Sequence, residues 1–205
     1  VYGTDTERFT SGDPAANLPH FVAVGRFTDK KAPQLTLLAF REAWRQRPDA
    51  RLTMVGTGPL WEGVRQLVQS YGMEDVVDLP GVLPPEQVAE RLRGARAFVQ
   101  HSLTTGEHDM EGTPLAVLEA MATGLPVVST YHAGIPDVVA HGERGLLSAE
   151  YDIDAMADHL VQLIDHPEQA ASMGQAGRAY VLAHHRVEDR IGVLQSLLEQ
   201  VAAGG

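Results

Sequence analysis

Two glutamates, Glu111 and Glu119, bracket the segment whose residue types could do chemistry most directly. The segment is Glu-Gly-Thr-Pro-Leu-Ala-Val-Leu-Glu, so seven residues separate the two acids. A carboxylate in the second turn of a helix, as expected for Glu119, suits a neutral diol such as a ribose, whose hydroxyls donate to it. Glu111 lies on the loop before that helix. If the start of the helix binds a phosphate, Glu111 is free to face the group attached to that phosphate. The alternative is that both acids are solvated surface charges, since carboxylates are mostly exposed.

The residues between the two acids predict a turn that opens a helix. Thr113 is the expected N-cap, and Pro114 suits the first helical position, where its missing N–H has no helical partner to lose. The amides of Gly112, Thr113 and Leu115 would then point outward at the positive end of the helix dipole. Such a helix terminus binds phosphate without needing a side-chain cation.

A second candidate set follows the first predicted strand, in Val-Gly-Arg-Phe-Thr-Asp-Lys-Lys. Gly25 is followed by Arg26, and then by Lys30 and Lys31. At the carboxyl end of a strand, the arginine would clamp an anion with two parallel hydrogen bonds, and a lysine would add a point charge. Ordinary solvated loop charges are the alternative.

Three weaker signals stand at other strand ends. Gly56 opens Gly-Thr-Gly-Pro, which differs from a dinucleotide fingerprint because Trp61 replaces the third glycine, so a nicotinamide-dependent oxidoreductase is not expected. Val82 follows Pro-Gly in a predicted turn. His101 and His108 invite a metal hypothesis, but they are seven positions apart on a loop and match neither HxxxH nor HExxH, so no metal is expected.

The elements that must position these residues alternate between strands and helices. Short, nearly continuous apolar runs predict buried parallel strands, and apolar residues at helical spacing predict the helices between them. This alternation predicts an α/β fold: a Rossmann-like, doubly wound parallel sheet of about six strands with helices on both faces. Ligands in such sheets bind beyond the carboxyl ends of the strands. The predicted strands are 20–25, 51–56, 76–79, 97–101, 126–130 and 145–148, and the predicted helices are 32–47, 60–71, 86–93, 114–122 and three pieces from 153 onward.

Composition excludes several classes of function. The formal charge of −11 argues against a nucleic-acid partner and against adhesion to anionic lipid, because both need clustered cations. The chain has no cysteine, so disulfides, thiolate catalysis and cysteine-ligated zinc are excluded. It also has no apolar run near the roughly 18 residues that span a bilayer, and its first residues do not resemble a signal peptide. These features predict a cytoplasmic protein without a membrane contact.

The segment from Glu111 to Thr130 resembles the signature block of retaining GT-B glycosyltransferases of the glycosyl transferases group 1 family. The resemblance implies that Glu111 faces the donor sugar and that Glu119 holds the nucleotide ribose. It also implies that Arg26 and Lys31 bind the donor diphosphate. Lys31 fits the family pattern better than Lys30, although that pattern continues with a glycine where this chain has an alanine.

The same resemblance assigns donor-site positions elsewhere in the chain. Gly25 and Gly56 would lie beneath the donor, the loop at Val82 would read the base, and His101 would stand near the sugar. Residues Gly112, Thr113, Pro114 and Leu115 would complete the phosphate site. The implied donor is a UDP- or GDP-linked sugar, and the implied cofactor is none, with no metal. The implied reaction transfers that sugar, with retention, to a glycan, lipid-linked or small-molecule acceptor.

The opening residues 3–9 resemble the crossover between the two domains of such enzymes. We therefore predict a linker remnant at 1–19, a nucleotide-sugar-binding domain at 20–183, and a C-terminal helix with a frayed tail at 184–205. The expected partner is an N-terminal acceptor-binding domain of the same protein, without which no transfer is expected. A non-catalytic nucleotide-sugar-binding module and a fragment of a GT-B-type sugar-nucleotide epimerase would share this pocket, so both stay open at this point.

Overall fold

Six parallel strands form one sheet in the computed structural model, which describes residues 3–106, 114–189 and 191–192. The strands are β1 (His20–Val24), β2 (Arg51–Val55), β3 (Val77–Gly81), β4 (Ala97–Val99), β5 (Val127–Thr130) and β6 (Gly145–Ser148). Their spatial order is β3-β2-β1-β4-β5-β6, so the direction of winding changes between β1 and β4. Strand β6 pairs with β5 at one edge of the sheet, and β3 pairs with β2 at the other.

Helices cover both faces of the sheet. Successive strand residues point to opposite faces, and neighbouring residues Phe21 and Val22 of β1 accordingly enter two different apolar clusters. The helices are α1 (Pro33–Gln46), α2 (Trp61–Ser70), α3 (Pro85–Arg93), α4 (Leu115–Ala122), α5 (Ile135–Val138), α6 (Ile153–Asp165) and α7 (Pro167–His184). Helices α1, α2 and α6 contribute to the first cluster, helices α3, α4 and α5 contribute to the second, and α7 contributes to both.

This architecture confirms the predicted doubly wound α/β fold. The sequence predicts Pro114 at the first helical position, but in the structure Pro114 precedes the helix. Its φ of −64° would suit a helix, but its ψ of 130° is extended, and its carbonyl accepts from the N–H of Val117. Those features define an N-cap residue. Helix α4 therefore begins one residue later, at Leu115.

The segment before β1 packs along the domain. Phe9 is buried in the second apolar cluster, and the side-chain amide of Asn17 donates to the backbone carbonyls of Arg93 and Ala95. Thr4 forms a parallel bridge with Arg186, beyond the end of α7. The predicted domain limits remain predictions, since most of 184–205 lies outside the described residues.

Across the part of the chain that the structure describes, no helix is both long enough and apolar enough to cross a bilayer.

Candidate functional site

The loops after β1 and β2 lie directly on each other at the carboxyl edge of the sheet. The amide of Gly56 donates to the Gly81 carbonyl, and Gly56 has a φ of +130°. A Cβ at this position would lie 1.9 Å from the carbonyl oxygen of Gly25. The amide of Phe27 also donates to the carbonyl of Thr57, at 2.9 Å. Gly56 is thus required by backbone packing, and this packing fixes the loop that carries the candidate cations.

Lys31 lies against Gly25, whereas Lys30 lies elsewhere. A Cβ built on Gly25 would be 3.0 Å from Cδ of Lys31 and 3.5 Å from its Nζ. Lys30 lines a neighbouring pocket of about 710 Å³ beside α1. Arg26 is exposed and borders both this pocket and the crevice at Gly25. Of Lys30 and Lys31, it is therefore Lys31 that lies beside Gly25.

The residue after Lys31 explains how the lysine is presented. Residues Asp29–Lys31 form a 3₁₀ turn, and Ala32 follows in the left-handed conformation, with φ 34° and ψ 56°. Ala32 is fully buried, and α1 starts at the next residue. This is the position at which the family pattern has glycine, the residue that adopts this conformation at least cost. Ala32 therefore adopts, as an alanine, a conformation that favours glycine.

A mostly apolar pocket of about 460 Å³ adjoins the same loop. Its walls include Gly25, Arg26 and Gly56 from the loops after β1 and β2, and Val82 and Val88 from the region after β3. The side chain of Val82 is 74% exposed, which leaves it available to a ligand. A planar, mostly apolar group next to an anion would fit this arrangement.

The start of α4 is the next feature at this edge. Leu115, its first residue, is exposed, and Pro114 is buried behind it. The first-turn amides of any helix lack partners within that helix and carry the positive end of its dipole. Three other predicted members of the site, Glu111, Gly112 and Thr113, lie outside the described residues, as does His108.

Glu119 lies in the second turn of α4, as predicted, and is half-buried. Burial raises the pKa of its carboxyl above the usual value, and the positive charge of Arg8 partly offsets this rise. Arg8 belongs to the segment before β1, and it also approaches Asp5 and Glu86 at 3.5 Å. The sequence offered no spacing that would pair Arg8 with Glu119, because the two are far apart along the chain.

His101 is fully buried, and its ring holds a neighbouring loop. Its Nε2 accepts from the backbone N–H of Tyr151 at 3.0 Å, and its own amide donates to Oγ1 of Thr36. Burial lowers the pKa of His101 to about 4, so the ring is neutral at pH 7 with its proton on Nδ1. That Nδ1 has no hydrogen-bond partner among the described residues.

A hydrogen-bonded clasp that the sequence did not predict joins the loops after β4, β5 and β6. Oε1 of Glu150 lies 2.7 Å from Nδ1 of the buried His132, and Oε2 accepts from the amide of Thr104 at 3.0 Å. Burial alone would raise the pKa of Glu150, but the hydrogen bonds from Thr104 and His132 outweigh it and lower that pKa. The clasp fixes the chain where it leaves β4 toward α4.

No three His, Asp or Glu side chains converge as a metal site within residues 3–106, 114–189 and 191–192. The absence of a metal remains a prediction for the whole site.

The chain is similar in sequence to known glycosyltransferases. Residues 5–180 match the family "Glycosyl transferases group 1". The chain is 39% identical over 168 residues to the putative colanic acid biosynthesis glycosyltransferase WcaL of Salmonella typhimurium, a match that covers 80% of this chain and 41% of that protein. The chain therefore spans less than half the length of this relative.

Two solved structures show the same fold. The C-terminal domain of a glycosyl transferase group 1 family protein, LpcC, from Francisella tularensis has a TM-score of 0.76 and 20% identity, covering 90% of this chain and all of that one. HepE of Anabaena, in complex with UDP-glucose, has a TM-score of 0.82 and 18% identity, covering 98% of this chain and 56% of that one.

Proposed function

We propose that this chain, which belongs to the glycosyl transferases group 1 family, is the domain that binds the nucleotide-sugar donor of a retaining glycosyltransferase. The donor is a UDP- or GDP-linked sugar. The acceptor, a glycan, a lipid-linked sugar or a small molecule, is bound by a second domain of the longer protein. We expect no transfer from this chain alone.

The observation that carries the proposal is that a cationic loop and an apolar pocket share the same two residues. Gly25 and Arg26 border the crevice that contains Lys31, and they also border the 460 Å³ pocket at Val82. A nucleoside diphosphate has the same division, with an anionic end joined to a flat base. On a chain with a formal charge of −11, such an anion needs local cations at its binding site.

Sugar transfer requires negative charge to build up on the leaving diphosphate. In this proposal Arg26 and Lys31, with the first-turn amides of α4, stabilise that charge from positions fixed before it develops, which is the usual origin of large rate enhancements. Glu119 accepts hydrogen bonds from the ribose hydroxyls. Glu111, outside the described residues, takes the sugar-orienting role that the resemblance implies.

The name of HepE's complex supports the class of ligand, since that protein of the same fold was crystallised with UDP-glucose. The match to WcaL supports a role in making a polysaccharide. Neither match identifies the base or the sugar, so a screen of nucleoside diphosphates is the first measurement to make on this chain.

Calorimetric titration of this chain with UDP and GDP tests the proposal. We expect one of the two to bind, and Arg26→Ala to weaken that binding at least about tenfold, because a hydrogen-bonded charge pair is lost. Arg65→Ala is the matched control, since Arg65 is an exposed arginine on α2 whose partner is Glu62. Equal affinities of the wild type and Arg26→Ala would contradict the diphosphate assignment.

A further inference from the structure

Gln100 is a buried amide at the point where the winding of the sheet reverses. It follows β4, and its side chain is enclosed, with the residue 4% exposed. Its backbone is fixed by β5, because the backbone N–H of Gln100 donates to the carbonyl of Val128 and the backbone carbonyl of Gln100 accepts from Oγ of Ser129 at 2.7 Å. An amide at the end of an otherwise apolar strand, Ala-Phe-Val, is not needed for the core.

One polar atom of this side chain is unsatisfied within the described residues. Nε2 donates to Oγ of Ser102 at 2.9 Å, whereas the buried Oε1 has no hydrogen-bond partner there. A buried carbonyl oxygen without a partner costs stability, so such groups usually meet a water or a ligand. The position of Gln100 therefore needs an explanation beyond packing.

Gln100 borders the same narrow crevice as Lys31. The crevice has a volume of about 20 Å³ and is also lined by Gly25 and Thr36. Roughly 10–15 Å³ is enough for one water molecule, provided that two to four polar groups surround it. Gln100 Oε1, the Lys31 ammonium and the Thr36 hydroxyl would supply three. An amide oxygen also suits a crevice that contains an ammonium group, because it can accept but carries no net charge.

We propose that Gln100 is a positioning residue for Lys31, which it holds over Gly25 through one water shared with Thr36. The lysine side chain is flexible and loses rotamer freedom when it binds an anion. Anchoring its ammonium in advance reduces that loss, so the diphosphate binds more tightly. The proposal rests on the proposed function, because the anchored lysine matters only if a diphosphate binds there.

The test compares the binding of UDP, or of GDP if that is the nucleotide bound, with the binding of the corresponding nucleoside. Gln100→Met keeps the length of the side chain and removes its acceptor. We expect it to weaken diphosphate binding about fivefold to tenfold and to leave nucleoside binding unchanged, since the nucleoside has no phosphate for Lys31. Gln46→Met is the control, because Gln46 lies near the exposed end of α1 and its amide donates to Glu42.

A second variant, Gln100→Glu, keeps the shape and the oxygen but adds a negative charge beside the ammonium. We expect it to weaken diphosphate binding more than Gln100→Met does, again without changing nucleoside binding, and it serves if Gln100→Met does not fold. A purely structural role would lower the affinity for both ligands together, which would overturn the proposal. So would unchanged diphosphate binding in the variants. If the wild type binds neither UDP nor GDP, the proposed function itself fails.

Discussion

Among the described residues, three that are not glycine adopt left-handed backbone conformations, and all three lie in loops around the candidate site. They are Ala32 before α1, Ala133 after β5 and Tyr151 after β6. Left-handed backbone costs an L-residue about 1–2 kcal/mol. At Tyr151 the hydrogen bond from its amide to the buried ring of His101 helps to hold this conformation. Such strain persists where the surroundings over-determine it, often at functional sites.

Replacing Tyr151 measures that strain. The side chain is 61% exposed, so its removal loses little packing. We expect Tyr151→Gly to be more stable than Tyr151→Ala by about 1 kcal/mol, because glycine adopts a φ of 67° freely and alanine does not. Urea denaturation of the two variants gives the difference. Equal stabilities would show that Tyr151 is not strained in solution.

Among the elements, the contact between the loops after β1 and β2 governs the site. It is made by backbone atoms of glycine residues, and a comparable contact joins α7 to the end of α4, where a Cβ on Gly174 would lie 1.8 Å from the carbonyl oxygen of Gly124. Backbone cannot move aside as a flexible side chain can. These two contacts therefore set how closely the neighbouring elements approach.

Gly56→Ala tests the first contact. Its Cβ would collide with the Gly25 carbonyl, so we expect a loss of about 2–4 kcal/mol in the free energy of unfolding, with weaker diphosphate binding. Gly63→Ala is the control, because a Cβ on this glycine of α2 meets nothing within 4 Å. That variant should gain up to about 1 kcal/mol from better helix propensity. A Gly56→Ala variant as stable as the wild type would mean that the two loops are not in contact.

The elements themselves could be predicted from the sequence, whereas several contacts in the site could not. Apolar runs ending at glycine located β1 and β2, and Gly72, with a φ of +64°, ends α2 as expected. The electrostatic effect of Arg8 on Glu119, and the crevice that Gln100 shares with Lys31, depend on strand order and loop path. The periodicity of the sequence does not predict these contacts, because each one joins residues of separate elements that only the folded sheet brings together.

At the scale of the whole molecule, the sheet gathers the chemistry at one edge. Gly25, Gly56, Val82 and Leu115 follow three different strands or open α4, and parallel pairing places all of them at the carboxyl ends. A second pocket, of about 490 Å³, lies at the opposite side beside Gly124 and Leu182. This pocket is lined by Arg178, which donates to the backbone carbonyls of Phe9 and Ala122, and by Asp13. We therefore expect an anionic nucleotide to bind beside Arg26 and Lys31 at the carboxyl edge and not in this pocket.

A ¹⁵N-resolved NMR titration of this chain with UDP and GDP tests the central claim most directly, because it locates the ligand residue by residue. We predict that the amide signals of Gly25, Arg26, Thr57 and Leu115 shift in a saturable manner with the bound nucleotide. Shifts confined to the pocket beside Gly124, with the signals after β1 unchanged, would contradict the assignment of a donor site to the carboxyl edge of the sheet.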